Sequence, residues 1–288
     1  MDEELTMDEC RRIVGLSSIW QRFDLFLIDQ FGVLHDGVRP YDGAVDCLKR
    51  LKSSGKSVVL LSNSGKRASA NAARLEEFGF PQGSFDGVMT SGEVAWQGIL
   101  DHSFGAPFVP GRRMYLLGHE DYDYGFDRIG MTLVDDPAAC DFILIAASRA
   151  PKMSLDHYRV ALAAAATSKI PALCCNPDRL MLTGEGLQPS AGEVASLYRE
   201  LGGDVTFVGK PYPAIYAAAM KQNPQVARGA TLAIGDSIEH DIGGGQRAGL
   251  STALVRTGLS SNPDDHPLRE EMRRYAAVPD FVLPSLRW

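Results

Sequence analysis

The sequence predicts an α/β fold built on a parallel sheet and split by a second, smaller α/β unit, and three observations carry this. Apolar, β-rich runs alternate with segments of helical periodicity, the pattern of parallel strands joined by right-handed crossovers. Between about Ser91 and Leu187 the strands shorten before long helical periodicity resumes. The apolar run FDLFLID, residues 23–29, ends abruptly in Asp29. An acid at the carboxyl end of a buried parallel strand lies where open α/β sheets bind their ligands.

The elements follow in order. Residues 1–22 read as a short amphipathic helix with Ile13, Leu16 and Trp20 on one side, packed on the core or at an oligomer interface. After the first strand, Gly43 to Ser54 carries Ala44, Val45, Leu48 and Leu51 at helical spacing, and Gly55 stops it. Lys56–Ser62 is the second strand, Arg67–Phe78 a helix ended by Gly79, and Gly87–Thr90 a short strand leading into a helix from Ser91. The second unit holds strands at 113–118, 131–136, 141–147 and 170–175, with a helix from Ser154 to Ser168. A helix from Ala191 to Leu201 and strands at 205–208, 231–234 and 252–255 are expected to return to the first sheet. FVLPSL, near the C-terminal end, reads as an edge strand or late sheet element. The expected division is 1–90, 91–187 and 188–288, the outer two segments forming one sheet.

Composition bounds the function. At 45% hydrophobic residues, 288 residues supply a substantial core. No apolar run approaches the roughly 18 residues of a membrane span, and the acidic start MDEELTMDEC resembles no signal peptide, so a cytoplasmic location without a membrane partner is expected. Five irregularly spaced cysteines suit reduced, buried thiols. A net charge of −7 argues against nucleic acid as a partner.

Three further segments join the first in an order that one chemistry needs: LLSNSG at 60–65, VGKPYP at 208–213 and AIGDSIEHD at 233–241. Asp29 is the candidate nucleophile, since a carboxylate attacking phosphorus splits one difficult hydrolysis into two easier displacements. An anion approaching a phosphate needs a bridging cation, and Mg²⁺ favours a few carboxylates with water and substrate oxygens. Asp236 is the best second ligand, and Asp241 either ligates or orients a ligand. Ser62 and Asn63 end the second strand, where a hydroxyl and neighbouring donors can hold phosphoryl oxygens. Lys210 offers a compact positive charge to the same group. Taken singly, each has an ordinary structural explanation, and their combination is what points to phosphoryl transfer.

The four segments resemble the motifs of the haloacid dehalogenase (HAD) superfamily, and the wide gap between the second and third resembles its NagD-like branch, class IIA, with a C2-type cap. The resemblance runs from about Phe23 to Leu286. It implies a Rossmann-like core split by an inserted cap, with the active site in the cleft between them. It also implies an aspartyl-phosphate on Asp29, Mg²⁺ as cofactor, a small phosphorylated metabolite as substrate, and the backbone carbonyl of Phe31 as a further metal ligand. Phe31 departs from the pattern. Phosphatases of this superfamily usually carry a second aspartate there, as acid toward the leaving oxygen and base toward water, a contribution of about 10²–10⁴ in rate. Activity is therefore expected to be weak, with aryl or acyl phosphates least affected, and His35 or Asp36 are the nearby groups that could substitute.

Two alternatives stand beside this. An aromatic at that position is similar to haloalkanoate dehalogenases, whose leaving group needs no proton, although metal-independent dehalogenation has no use for the acids of GDSIEHD. A phosphometabolite-binding or regulatory protein would keep the cradle with little turnover. Specificity is expected from Asn176, Asp178 and Arg179 in CCNPDRL, whose Asn-Pro-Asp is equally good turn chemistry. HEDYDYG, at 119–125, reads as a solvated loop. Homo-oligomerisation is left open.

Overall fold

A computed structural model describes residues 10–183 and 185–288. By their internal contacts they form two units, one of residues up to Ser62, Ser69–Met89 and Lys210–Trp288, the other of Asn63–Ala68 and Thr90–Gly209. The first begins with β1 (Arg11–Arg12), β2 (Leu25–Asp29), α1 (Ala44–Ser53), β3 (Ser57–Ser62), α2 (Ala68–Glu77) and β4 (Gly87–Thr90). The second contains α3 (Ser91–Leu100), β5 (Arg113–Leu117), β6 (Thr132–Leu133), β7 (Phe142–Ile145), α4 (Leu155–Thr167), β8 (Ala172–Cys174), β9 (Leu180–Thr183), β10 (Gly186–Pro189), α5 (Ala191–Glu200) and β11 (Val205–Phe207). The chain then completes the first unit with α6 (Pro213–Lys221), β12 (Thr231–Gly235), α7 (Gly244–Arg247), β13 (Ser251–Val255), α8 (Asp265–Tyr275) and β14 (Phe281–Leu283).

The first unit is a seven-stranded sheet in the order β1-β14-β13-β12-β2-β3-β4, parallel from β1 through β3. Side chains alternate between its faces with the period of a strand. Phe26, Ile28, Val58, Leu60, Leu232, Ile234, Ala253 and Val255 pack with Leu48 and Leu51 of α1 on one side. Leu254 and Val282 face the other, against Ile238, Ile242 and the α8 residues Leu268 and Met272. Burial on both faces explains why these strands read as continuous apolar runs.

In the second unit five parallel strands run β11-β8-β7-β5-β6, and β9 and β10 form a separate antiparallel hairpin. Helices α4 and α5 cover its sheet through Tyr158, Leu162, Val194, Ala195 and Tyr198. No helix among the described residues is long and apolar enough to cross a membrane.

Two sequence expectations are corrected. The strand at 205–208 does not return to the first sheet: β11 pairs with β8, Thr206 opposite Leu173, so the second unit runs to Gly209 rather than 187. The apolar face of α5 packs on the second sheet and carries β11 with it. The helix expected over 1–22 is not formed in its described part. Residues 11–12 are β1, paired with Phe281 and Val282, and residues 16–18 and 20–22 are single 3₁₀ turns. Ile13, Leu16 and Ile19 are buried in the core, and Gly15 lies so close to Trp288 that a Cβ would sit 2.3 Å from its carbonyl oxygen. Tertiary packing thus overrode the helical spacing. Residues 1–9 lie outside the described residues. FVLPSL is β14, one strand in from the edge that β1 occupies.

Candidate active site

Four neighbouring strands, β13, β12, β2 and β3, end together, and the polar residues gather at those carboxyl ends. Asp29 is the last residue of β2, Ser62 the last of β3, and Asp236 follows β12 directly. Leu61, beside Ser62, is in register with Asp29. After Asp236 the chain enters a π-helical turn, Ile238–Gly243, the kind of irregular turn that occurs at functional positions. That turn aims Asp241 back at the strand ends: its Oδ2 accepts from the Ser237 amide at 3.1 Å. A Cβ on Gly235 would lie 1.9 Å from Asp241 Cγ, so only glycine allows this return.

Oxygens of Asp29, Asp236 and Asp241 lie within 4.8 Å of one another. Lys210 Nζ, buried, contacts Asp29 Oδ1 at 2.5 Å and donates to Asp241 Oδ1 at 2.7 Å. Tyr216 on α6 donates its hydroxyl to the His240 carbonyl at 2.9 Å, bracing the turn that carries Asp241. One lysine cannot balance three buried acids. Burial drives the Asp29 carboxyl up to about 7 against the pull of Lys210, with Asp241 adding to the rise. Burial, then the charges of Asp29 and Asp241, pushes Asp236 to about 8. Burial alone would lower the Lys210 ammonium, but Asp241 and Asp29 hold it well above its ordinary value.

Three crowded carboxylates form a hard-oxygen donor set that suits a divalent cation. A pH dependence follows. Both raised acids keep protons in the folded, metal-free chain that the unfolded chain releases near pH 4, so the associated stability is lost as pH climbs through about 7 to 8. In EDTA the melting temperature should fall by about 5 °C or more between pH 6 and 9, at roughly 2–4 °C per kcal/mol for a domain of this size. Saturating Mg²⁺ should cancel most of that fall, since the cation replaces the protons. Parallel curves with and without metal would reject this account.

A loop that sequence reasoning missed holds Asp236. After β13, Thr257 Oγ1 donates to the Gly32 carbonyl at 2.5 Å, the Leu259 amide donates to Asp236 Oδ2 at 2.7 Å, and Ser260 Oγ donates to the Asp236 carbonyl at 2.7 Å. Gly258 between them has φ +55°, and its Cβ would lie 2.0 Å from Asp236 Oδ2. Gly258→Ala should therefore displace the carboxylate and cut Mg²⁺-dependent thermal stabilisation by at least half; retention of full stabilisation would show Asp236 to be held otherwise. The signal in VRTGLSS was a Thr-Gly pair one residue beyond a buried strand.

The other predicted residues are placed as follows. Phe31 is 50% exposed, its ring edge-on to His35 at 6.0 Å. His35 is buried, its ring tilted against Phe78 with centroids 4.6 Å apart, and its Nδ1 accepts from the Gly37 amide at 3.1 Å. Burial, then Arg74, lowers its pKa to about 4 against the opposing pull of Asp36, so it is neutral at physiological pH. Asp36 accepts from the Val38 and Arg39 amides in a turn. In the second unit, Asn63 Nδ2 donates to Asp178 Oδ1 at 2.8 Å, which joins a predicted phosphate ligand to a predicted specificity residue. Asn176 Oδ1 accepts from the Asp178 amide at 3.2 Å, as the turn chemistry of Asn-Pro-Asp requires. Arg179 pairs with Glu193 at 2.6 Å.

Comparison with known proteins points to one family. Residues 26–132 match a haloacid dehalogenase-like hydrolase family and residues 207–288 a HAD-hydrolase-like family. D-glycerol 3-phosphate phosphatase of Mycobacterium tuberculosis is 33% identical over 254 residues, which cover 85% of this chain and 66% of that enzyme. A haloacid dehalogenase-like hydrolase from Brucella suis superposes with TM-score 0.81 at 25% identity, covering 95% of this chain and 99% of that one. A glycerol phosphate phosphatase from M. tuberculosis, solved in complex with magnesium, superposes with TM-score 0.68 at 28% identity, covering 84% of this chain and 70% of that one. The chain belongs to the haloacid dehalogenase superfamily, in the NagD-like class IIA branch of phosphoric monoester hydrolases.

Proposed function

We propose that this protein is a Mg²⁺-dependent phosphatase of a small phosphorylated metabolite, working through an aspartyl-phosphate on Asp29. The observation that carries the reading is the packing of Asp29, Asp236 and Asp241 within 4.8 Å, with Lys210 bridging two of them. Asp29, Asp236 and Asp241, with the backbone carbonyl of Phe31, would hold the cation. Bound there, Mg²⁺ would neutralise phosphate charge and keep Asp29 ionised at neutral pH; a relative solved with magnesium supports that choice. In the first displacement an oxygen of Asp29 bonds to phosphorus while the bond to the leaving oxygen breaks. In the second, water attacks the acyl phosphate and restores the carboxylate. Lys210 steadies the nucleophile from 2.5 Å and offsets charge on the transferring group. The Ser62 hydroxyl binds its oxygens.

Phe31 offers no proton to the leaving oxygen, and neutral His35, its Nδ1 engaged by Gly37, offers no imidazolium. The reading is therefore of a slow enzyme favouring leaving groups that depart unprotonated. Hydrolysis of p-nitrophenyl phosphate should require Mg²⁺ and stop with EDTA. Phe31→Asp should raise turnover of an alkyl phosphate toward the roughly 10²–10⁴-fold that acid–base help supplies, with a smaller gain for the aryl ester. Phe31 also favours a second reading, a phosphometabolite-binding protein. Absence of Mg²⁺-dependent turnover, with phosphate still raising the melting temperature, would establish that one instead.

A further inference from the structure

The second unit has its own topological switch point. From β5 the chain adds β6 on one side and then β7 on the other, so β5 and β7 are neighbours whose connections leave in opposite directions. The crevice beyond the carboxyl ends of such a pair is where open parallel sheets take ligands. Here it is furnished with cations. Gly65 is pressed on the end of β7, where a Cβ would lie 2.1 Å from the Ala146 carbonyl oxygen, and this brings Lys66 into the crevice. Lys66 Nζ lies 5.2 Å from the centre of the Tyr122 ring and pairs with no carboxylate among the described residues. From beyond β7, Arg149 donates through Nε to the Gly118 carbonyl at 3.0 Å and through Nη1 to Glu120 at 2.7 Å; its Nη2 has no acceptor among the described residues.

HEDYDYG, expected to be a solvated loop, is instead partly built into this crevice. Tyr124 is 3% exposed and accepts the His119 amide at 3.1 Å, while the Tyr122 hydroxyl accepts the Arg67 amide at 2.8 Å. The acids of the loop are largely engaged: Glu120 by Arg149 and Asp123 by Arg128, with Asp121 exposed. Burial, then Lys66 and Arg149, holds the His119 imidazole below its ordinary value, consistent with both cations converging there.

We propose that this crevice is an anion-binding site, in which Lys66 and Arg149 recognise a carboxylate or phosphate group of a small organic molecule beside the Tyr122 ring. The site stands independently of the phosphatase reading.

Calorimetry on the full chain in an Asp29→Asn background, with Mg²⁺, tests it. Glycerate and glycerol differ by a carboxylate against a hydroxymethyl, and neither carries a phosphate for the acids of the first unit. The carboxylate ligand should bind roughly tenfold or more tighter, the scale of one charge-assisted hydrogen bond. Lys66→Met should erase that advantage and Lys66→Arg should retain it. Equal affinities, an advantage that survives Lys66→Met, or no binding of either ligand would overturn the proposal. Inorganic phosphate identifies the anion: binding of phosphate that is lost in Lys66→Met marks a site for either group, and Lys66-dependent binding of glycerate alone marks a carboxylate site. Failure of the phosphatase reading appears separately, as absence of aryl phosphate turnover in the native chain.

Discussion

Asp29→Asn should reduce hydrolysis of an aryl phosphate by about 10⁴-fold or more, as loss of a catalytic nucleophile does in other hydrolases. The amide keeps the size and the hydrogen-bonding oxygen of the carboxylate but cannot attack phosphorus at a useful rate. Folding should survive, because the change removes one of three crowded acids whose mutual repulsion contributes to the raised pKa values of Asp29 and Asp236. In EDTA at pH 8 the variant should melt no lower than the native protein, whereas Mg²⁺ should stabilise it less. Kinetics and melting curves on the same preparation check both halves. Turnover within tenfold of native would place the nucleophile elsewhere.

Lys210→Met should have the largest effect on stability. Its ammonium, buried between Asp29 at 2.5 Å and Asp241 at 2.7 Å, is the cation that those two acids share. Removing one partner from a buried ion pair costs about 3–5 kcal/mol because the other charge is left uncompensated. For a chain of this size that is roughly 6–20 °C in melting temperature. The loss should be greatest above pH 8 and shrink toward pH 6. Lys210 lowers the Asp29 pKa, so without it the acid rises further and neutralises itself by taking up a proton. Lys210→Arg should recover part of the stability and little activity, since a planar fork does not replace a point charge seated between two oxygens. A Lys210→Met protein that melts within about 2 °C of native at pH 8.5, below the smallest shift expected for such a loss, would contradict this balance of charges.

Much of the site was legible because acids and small polar residues interrupt long apolar runs. Asp29, Ser62 and Asp236 each stand at the end of a run that burial on both sheet faces makes continuous. Asp241 was legible as a neighbour of Asp236, but the turn that aims it at Lys210 is π-helical, and no periodicity announces that. The loop Thr257–Ser260 was overlooked because Thr-Gly-Leu-Ser is ordinary turn composition until Gly32 and Asp236, 225 and 23 residues away along the chain, lie against it. Ile13, Leu16 and Trp20 fit helical spacing, yet pairing of residues 11–12 with β14 left no room for a helix. The strand at 205–208 looked like its neighbours in the first sheet, and only the choice between two edges assigned it to the second.

By itself, then, the sequence determined the α/β class and the strand ends that carry the acids. These depend on residue type and on short-range pattern, which burial imposes locally. Only the tertiary structure decided how Asp29 and Asp241 share one lysine beside Asp236, which acids are driven to hold protons, that His35 is neutral, and that Lys66 stands by the Tyr122 ring in the second unit. Those properties arise from distance and desolvation between segments far apart in the chain, and Coulomb energy in a buried site depends on separations of a few ångströms that no spacing along a sequence encodes.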